Sequence, residues 1–201
     1  MQMPEKALPA DKKDDSIKGN LLLYLHDIVC LLSGVLLVLL LCFRVVIVSG
    51  PSMNKTLVHG DWLILLSNVL YTQPQQGDVV VASKDSFKDG EPIIKRVIAT
   101  EGQEVDIDFD AGIVYVDGEA LDEPYINTPT NIREGMEFPL TVDDGCVFLM
   151  GDNRNSSKDS RSTEIGQVDC RELLGKALLL VFPGQETKDS PRDFTRIGVV
   201  S

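Results

Sequence analysis

The chain has 201 residues, 43% of them hydrophobic and 25% charged, enough to bury one modest core. Its formal net charge of −12 argues against a nucleic-acid partner, which selects for clustered Lys and Arg. No acidic block is long enough to form a tail, so the negative charge reads as a solvated surface.

Residues 1–19 are polar and mixed in charge, with Lys6, Lys12, Lys13 and Lys18 set against Glu5, Asp11, Asp14 and Asp15. They read as a short mobile tail. From Leu21 to Val48 the chain is overwhelmingly apolar, and Ile28–Phe43 carries no charge. A membrane helix needs roughly 20 apolar residues, so residues 20–44 are expected to form a transmembrane anchor. His26 then sits at the interface near its start, and Arg44 snorkels at its end. Val46–Val48 precede Ser49 without a small-residue cleavage pattern, so the run reads as a permanent anchor and not as a removed leader. Lysines dominate the N-terminal flank, whereas Arg44 stands almost alone at the other end. That bias predicts a single-pass cell-membrane protein with a cytoplasmic N-terminus and residues 45–201 outside.

Beyond the anchor, Gly50-Pro51 breaks any regular structure. Short apolar runs then follow at 61–66, 77–82, 92–98, 112–116, 146–150, 177–182 and 196–200, separated by turn signals. Asp117-Gly118 is the strongest hairpin signal among them. Short runs rich in Val and Ile predict a mainly β fold: one N-terminal transmembrane helix, then an antiparallel β-sheet domain. No repeat, dinucleotide-binding or phosphate-loop pattern is present. Cys30 and Cys42 lie in the apolar run, and Cys146 and Cys170 lie downstream without metal-ligand spacing; two free thiols are expected there.

Three blocks carry chemistry. Ser52 follows Gly50-Pro51 directly after the apolar run; alone it reads as a turn serine. Lys95 interrupts an apolar strand and points opposite to Arg96, so one of the two charges faces the core or a groove. Two solvated edge charges are the alternative. A free lysine, with a pKa of about 10.4, is a useless base at neutral pH. Burial lowers that value and yields a neutral amine able to take a proton from a serine hydroxyl. Ser52 with a buried Lys95 forms a Ser-Lys dyad. The third block, Gly151–Arg161, alternates acids, arginines and hydroxyls after a buried-looking strand. It is either a surface loop or a hydrogen-bonded network that supports a site.

Together these blocks resemble the bacterial type I signal peptidases, membrane-anchored serine endopeptidases of family S26. Gly50-Pro51-Ser52-Met53 with Thr56-Leu57 resembles the family's nucleophile box, and Gly77-Asp78-Val79-Val80 its second strand signature. Ile94-Lys95-Arg96-Val97-Ile98 resembles its general-base box. Gly151-Asp152-Asn153-Arg154, with Ser157, Asp159-Ser160-Arg161 and Gly166, resembles its final box, and Val116-Asp117-Gly118 with Glu123-Pro124-Tyr125 its connecting hairpin. Blocks in this order behind an N-terminal anchor make a specific signal.

The resemblance implies the signal peptidase/repressor-like β-ribbon fold, and it implies roles. Ser52 is the expected nucleophile and Lys95 its general base, with the Ser52 N–H donating to the oxyanion. Ser157 is expected to hydrogen-bond and orient the Lys95 amine, while Asp152, Arg154, Asp159 and Arg161 hold the loop. Val48, Met53, Leu57, Ile93 and Ile94, with Gly50 beside them, are expected to line shallow pockets for small substrate residues at −3 and −1. Gly50 stands where some members carry a second oxyanion donor, a serine. Lys55 replaces the usual proline before Thr56-Leu57, and Asn155 a frequent aspartate. Lys55 and His59 are the rival bases; both read as solvated.

The implied partners are preprotein signal peptides and the lipid bilayer, for a monomer that needs no metal or organic cofactor. Three other readings compete. One is a self-cleaving repressor-like protease, disfavoured by the anchor. The second is a non-catalytic, membrane-tethered assembly factor for surface proteins, disfavoured by the presence of both Ser52 and Lys95. The third is an enzyme dedicated to a few surface or pilin-like substrates, whose motifs are identical.

Overall fold

The computed structural model describes residues 11–84, 87, 90–187 and 189–200, with the backbone alone for 11–19. The chain divides into two units, Met1–Leu41 and Cys42–Ser201.

The described part of the first unit is helical: helix α1 (Asp11–Cys42) runs through it and ends one residue beyond. Its stretch Asn20–Cys42 has 23 residues, a mean hydropathy of 2.5 and no buried share. At 1.5 Å per residue it spans about 35 Å, more than a hydrocarbon core of about 30 Å. It is long and apolar enough to cross a membrane, and it is apolar on every side, as a lipid-facing helix is. Two boundaries depart from the sequence reading. The helix begins at Asp11, within the stretch expected to be a tail, whose residues 1–10 lie outside the described residues. It ends at Cys42, so Phe43 and Arg44 leave the expected anchor, and Arg44 pairs across a strand with Leu65. Phe-Arg-Val-Val-Ile suits a pleated surface, and a partner strand decides its conformation.

The second unit is mainly antiparallel β. Its first strands are β1 (Phe43–Ile47), β2 (Trp62–Ser67), β3 (Val79–Ala82) and β4 (Ile93–Thr100). A smaller group follows: β5 (Glu104–Asp108), β6 (Ile113–Val116), β7 (Glu119–Ala120) and β8 (Leu140–Thr141). The chain closes with β9 (Cys146–Met150), β10 (Val168–Asp169), β11 (Leu173–Phe182) and β12 (Gly198–Val199). The large sheet runs β1-β2-β11-β3-β4-β9-β10, with β12 on β11; the small sheet runs β7-β6-β5-β8.

Every expected strand is present, with one shortened. The 196–200 run becomes a 3₁₀ turn, Phe194–Arg196, followed by the two-residue β12. Asp117 and Gly118 take φ of 53° and 79°, the backbone of a tight hairpin between β6 and β7. β5 was not expected, although Val105 and Ile107 alternate with acids in the burial rhythm of a half-covered strand.

Sheet order decides what the site can be. β3 and β4 lie centrally, so Val79–Ala82 are all buried, and Lys95 and Arg96 are buried although they point oppositely. One cluster (Val48, Met53, Leu57, Leu63, Leu65, Val79) lies under the start of the domain. Another (Ile98, Val105, Val114, Phe148) joins the small sheet to β4 and β9. Cys146 packs against this second cluster and Cys170 against a third around Val80 and Val147; both thiols are free.

Candidate active site

Ser52 sits in the loop that joins β1 to β2. The base of that loop is closed by Val48 N–H donating to Asp61 O at 2.9 Å and Gly60 N–H donating to Val48 O at 2.9 Å. Its crown is a tight turn, with Asn54 N–H to Pro51 O at 3.0 Å and Leu57 N–H to Met53 O at 2.8 Å. Met53 and Leu57, each 1% exposed, plug the turn into the core beside Val48. All three therefore hold the Ser52 turn from beneath and do not line the cleft in front of it, which corrects the expectation that they form substrate pockets. Apolar residues spaced around a turn serve as anchors when the core lies directly below.

The turn around Lys55 is held without a proline. Asn127 Nδ2 donates to Asn54 O at 2.9 Å, and Thr56 Oγ1 donates to Asp152 Oδ2 at 2.5 Å. Lys55 itself is exposed. His59 is exposed as well, and its Nδ1 accepts from Gly50 N–H at 3.3 Å, not from Ser52.

β4 delivers Lys95 to Ser52. The amine Nζ lies 2.8 Å from Ser52 Oγ and donates to Ile94 O at 3.0 Å. Lys95 is 3% exposed, and burial pushes its pKa down to about 8. Asp159, Glu134 and Asp152 pull the other way, and Arg161 reinforces the lowering.

The 151–161 loop closes over this pair. Asn153 N–H donates to Ser52 O at 3.0 Å, and Asn153 Nδ2 to Pro51 O at 3.0 Å. Gly151 allows that approach: a Cβ there would meet Ser157 Oγ, and would lie 2.5 Å from both Ser157 Cβ and Ser52 O. Ser157 is buried against this glycine, but its Oγ has no hydrogen-bond partner among the described residues. The expected bond from Ser157 to the Lys95 amine is therefore not formed here; Nζ is committed to Ser52 Oγ and Ile94 O.

The four expected loop-holding residues are all buried and all engaged. Asp152 takes both arms of Arg96, Nε to Oδ1 at 2.9 Å and Nη2 to Oδ2 at 2.8 Å. Arg154 forks onto the Glu123 carboxylate and donates to Thr130 Oγ1 at 2.8 Å. Asp159 accepts Arg161 Nε at 2.8 Å and Gly151 N–H at 3.0 Å, and Arg161 Nη2 reaches Arg154 O at 2.6 Å. Arg96 is the member sequence reading missed. It also donates to Gly77 O at 2.8 Å and stacks 4.0 Å from the Tyr125 ring. Its signal was present: a second cation inside an apolar strand, on the opposite face from Lys95. Asn155 donates its amide to Thr128 Oγ1 at 3.1 Å and to Pro129 O at 3.0 Å, the second a bond that an ionised aspartate cannot make.

A cleft of about 510 Å³ opens in front of Ser52 and Lys95. Of the expected pocket residues, Gly50, Ile93 and Ile94 line it. Val46, Ile47, Val81 and Phe87 line it too and escaped the sequence reading, which had merged Val46 and Ile47 into the end of the apolar run. A hydroxyl and a desolvated amine in contact at the floor of an apolar cleft can perform acyl transfer.

The family model described as "Signal peptidase, peptidase S26" matches residues 21–182. A probable signal peptidase I-1 from Synechocystis sp. is 37% identical over 169 residues, covering 79% of this chain and 82% of that protein. Signal peptidase I of Bacillus licheniformis is 29% identical over 186 residues, covering 89% and 97%. The crystal structure of a signal peptidase I from Enterococcus faecalis V583 overlaps 52% of this chain and 97% of that one, at 28% identity and a TM-score of 0.42. The chain belongs to the peptidase S26 family of signal peptidases and is an enzyme of that family.

Proposed function

We propose that this signal peptidase cleaves signal peptides from exported preproteins by a Ser52–Lys95 dyad, after small residues at −3 and −1. One observation carries the reading: Lys95 Nζ lies 2.8 Å from Ser52 Oγ in a site where burial lowers the amine's pKa to about 8. An ammonium in that place has no lone pair with which to take the serine proton; a neutral amine does.

In the first half-reaction Ser52 Oγ attacks the scissile carbonyl while its proton passes to Lys95 Nζ. The Ser52 N–H steadies the developing oxyanion. Lys95 then returns the proton to the leaving amine as the C–N bond breaks, leaving an acyl-enzyme on Ser52. Water enters, gives its proton to Lys95 and attacks the ester; the proton returns to Ser52 Oγ as the acid departs. Val46, Ile47, Val81, Phe87, Ile93 and Ile94 shape an apolar cleft that accepts short side chains. Asp152, Arg154, Asp159 and Arg161 support the loop, and Ser157 supports the amine once substrate is bound. α1 anchors the enzyme, with its N-terminus cytoplasmic and the β domain outside the cytoplasm.

The test uses purified wild type, Ser52→Ala, Lys95→Ala and Lys55→Ala in detergent, on a preprotein with small residues at −3 and −1. Cleavage after −1 by wild type and Lys55→Ala, with the other two inactive, is the expected result. Inert wild type, or a normally active Lys95→Ala, overturns the dyad and favours the tethered assembly factor or another base.

A further inference from the structure

Past residue 182, where the family match ends, the chain returns to the underside of the nucleophile loop. Asp61, which ends that loop, is fully buried and its carboxylate is saturated. Oδ2 accepts Val58 N–H at 2.8 Å, and Oδ1 accepts Gly184 N–H at 2.6 Å. Both oxygens also take Arg196, Nη1 to Oδ1 at 3.0 Å and Nη2 to Oδ2 at 2.7 Å. The same Nη2 donates to Thr56 O at 3.2 Å. Gly184 permits this docking, since a Cβ there would strike His59 O and lie 2.8 Å from Asp61 N. Four residues on, Val200 packs against the cluster that contains Met53 and Leu57, and its N–H donates to Leu178 O at 3.0 Å.

Thr56 is thus gripped at both ends. Its carbonyl is held by Arg196, and its hydroxyl by Asp152, the neighbour of the Asn153 whose N–H holds Ser52 O. A mobile Thr56 would let the whole turn slide against β4, and with it the contact between Ser52 Oγ and Lys95 Nζ. We infer that Arg196 is a positioning residue: through Asp61 and the Thr56 carbonyl it latches the 48–61 loop in the place that presents Ser52 to Lys95. The inference rests on the Ser52–Lys95 reading. Arg196 touches neither reacting group, and its guanidinium fork is what allows one side chain to serve a carboxylate and a carbonyl together. An ammonium of similar reach keeps the charge for Asp61 and cannot serve all three acceptors.

The experiment compares wild type, Ser52→Ala, Arg196→Lys and Arg196→Ala as full chains in detergent, measuring kcat, KM, the pH profile of kcat/KM and thermal midpoints. Arg196→Lys is expected to fold as well as wild type and to lose about tenfold in kcat with KM within about twofold. Arg196→Ala is expected to lose up to about 100-fold, and to melt earlier because Asp61 is left without its cation. In both variants the acid limb of kcat/KM moves to higher pH, because a loosened turn admits water to the Lys95 amine. That limb reports the balance among Lys95, Asp159, Glu134, Asp152 and Arg161, all distant in sequence from Arg196. A general loss of folded protein lowers the amplitude and leaves the limb in place. The inference is overturned if Arg196→Lys keeps wild-type kcat and limb, or if the loss tracks the unfolded fraction with an unmoved limb. Wild type that does not cut, or Ser52→Ala that cuts normally, removes the dyad reading instead and this inference with it.

Discussion

Two buried cations stand side by side on β4 and are treated in opposite ways. On one face Arg96 finds a carboxylate with both arms, a carbonyl and an aromatic ring, so its charge is fully answered. On the other face Lys95 meets, among the described residues, a serine hydroxyl and a carbonyl, with carboxylates at a remove. The Arg96 side, continued through Asp152, Arg154, Asp159 and Arg161, has its charges paired, as a rigid support does. The Lys95 side is less fully answered: burial lowers the amine's pKa, and the buried Ser157 hydroxyl, packed against Gly151, has no hydrogen-bond partner among the described residues. Saturation makes a frame; a deficit makes a site poised to take a proton.

Exchanging the treatment of the two sides breaks the contrast. Lys95→Met is expected to reduce kcat/KM by at least about 10³-fold and yet raise the thermal midpoint. The sign follows from linkage. The native amine's pKa is about 8 against an ordinary 10.5, so below pH 8 both states hold the proton and the native state bears the full burial penalty. That penalty is relieved as pH climbs from about 8 to 10.5, where the native state has shed its proton and the unfolded state has not. At pH 7 its removal stabilises by up to about 3 kcal/mol, read by melting wild type and variant in the same detergent. Asp152→Asn does the reverse on the other face. It removes the carboxylate charge that both arms of the buried Arg96 grip, costs about 3–5 kcal/mol and lowers the midpoint by about 10 °C.

The contrast also sets a pH dependence. In the proposed mechanism only the neutral Lys95 amine accepts the Ser52 proton, so kcat/KM is expected to fall about tenfold per unit as pH drops below about 8. A profile flat from pH 6 to 9 would assign the proton to another group. The smallest effect is expected at Ser157. Ser157→Ala removes a buried hydroxyl with no hydrogen-bond partner among the described residues, so the melt stays level or rises while kcat falls by about tenfold. A melt that drops by several degrees would show that the hydroxyl belongs to the frame instead.

How much of this was legible in the sequence divides along the same line. The burial of Lys95 against Ser52 was readable because a lysine inside Ile-Ile-Lys-Arg-Val-Ile contradicts its surroundings. The strands were readable where Val and Ile cluster between turn signals, and the β6–β7 hairpin followed from Asp117-Gly118 alone. What stayed hidden depended on partners distant in sequence. Met53 and Leu57 were taken for pocket residues because nothing local reveals that the core lies beneath the turn. Phe43 and Arg44 merged with the anchor, and Val45–Ile47 with the end of the apolar run, because only pairing with β2 makes this segment a strand. Arg96 and Arg196 gain their meaning from carboxylates that the chain brings from 56 and 135 residues away.

Gly151 carries a consequence for how this enzyme can change. A single methyl group at that position would wedge between Ser157 and the carbonyl of the nucleophile itself. A saturation library at residue 151 should therefore return glycine alone, while the exposed, proline-free crown at Lys55 tolerates wide variation. Selection under an inhibitor that fills the cleft therefore has no route through residue 151. Escape is expected at the rim instead, at cleft-lining residues such as Phe87 and Ile93.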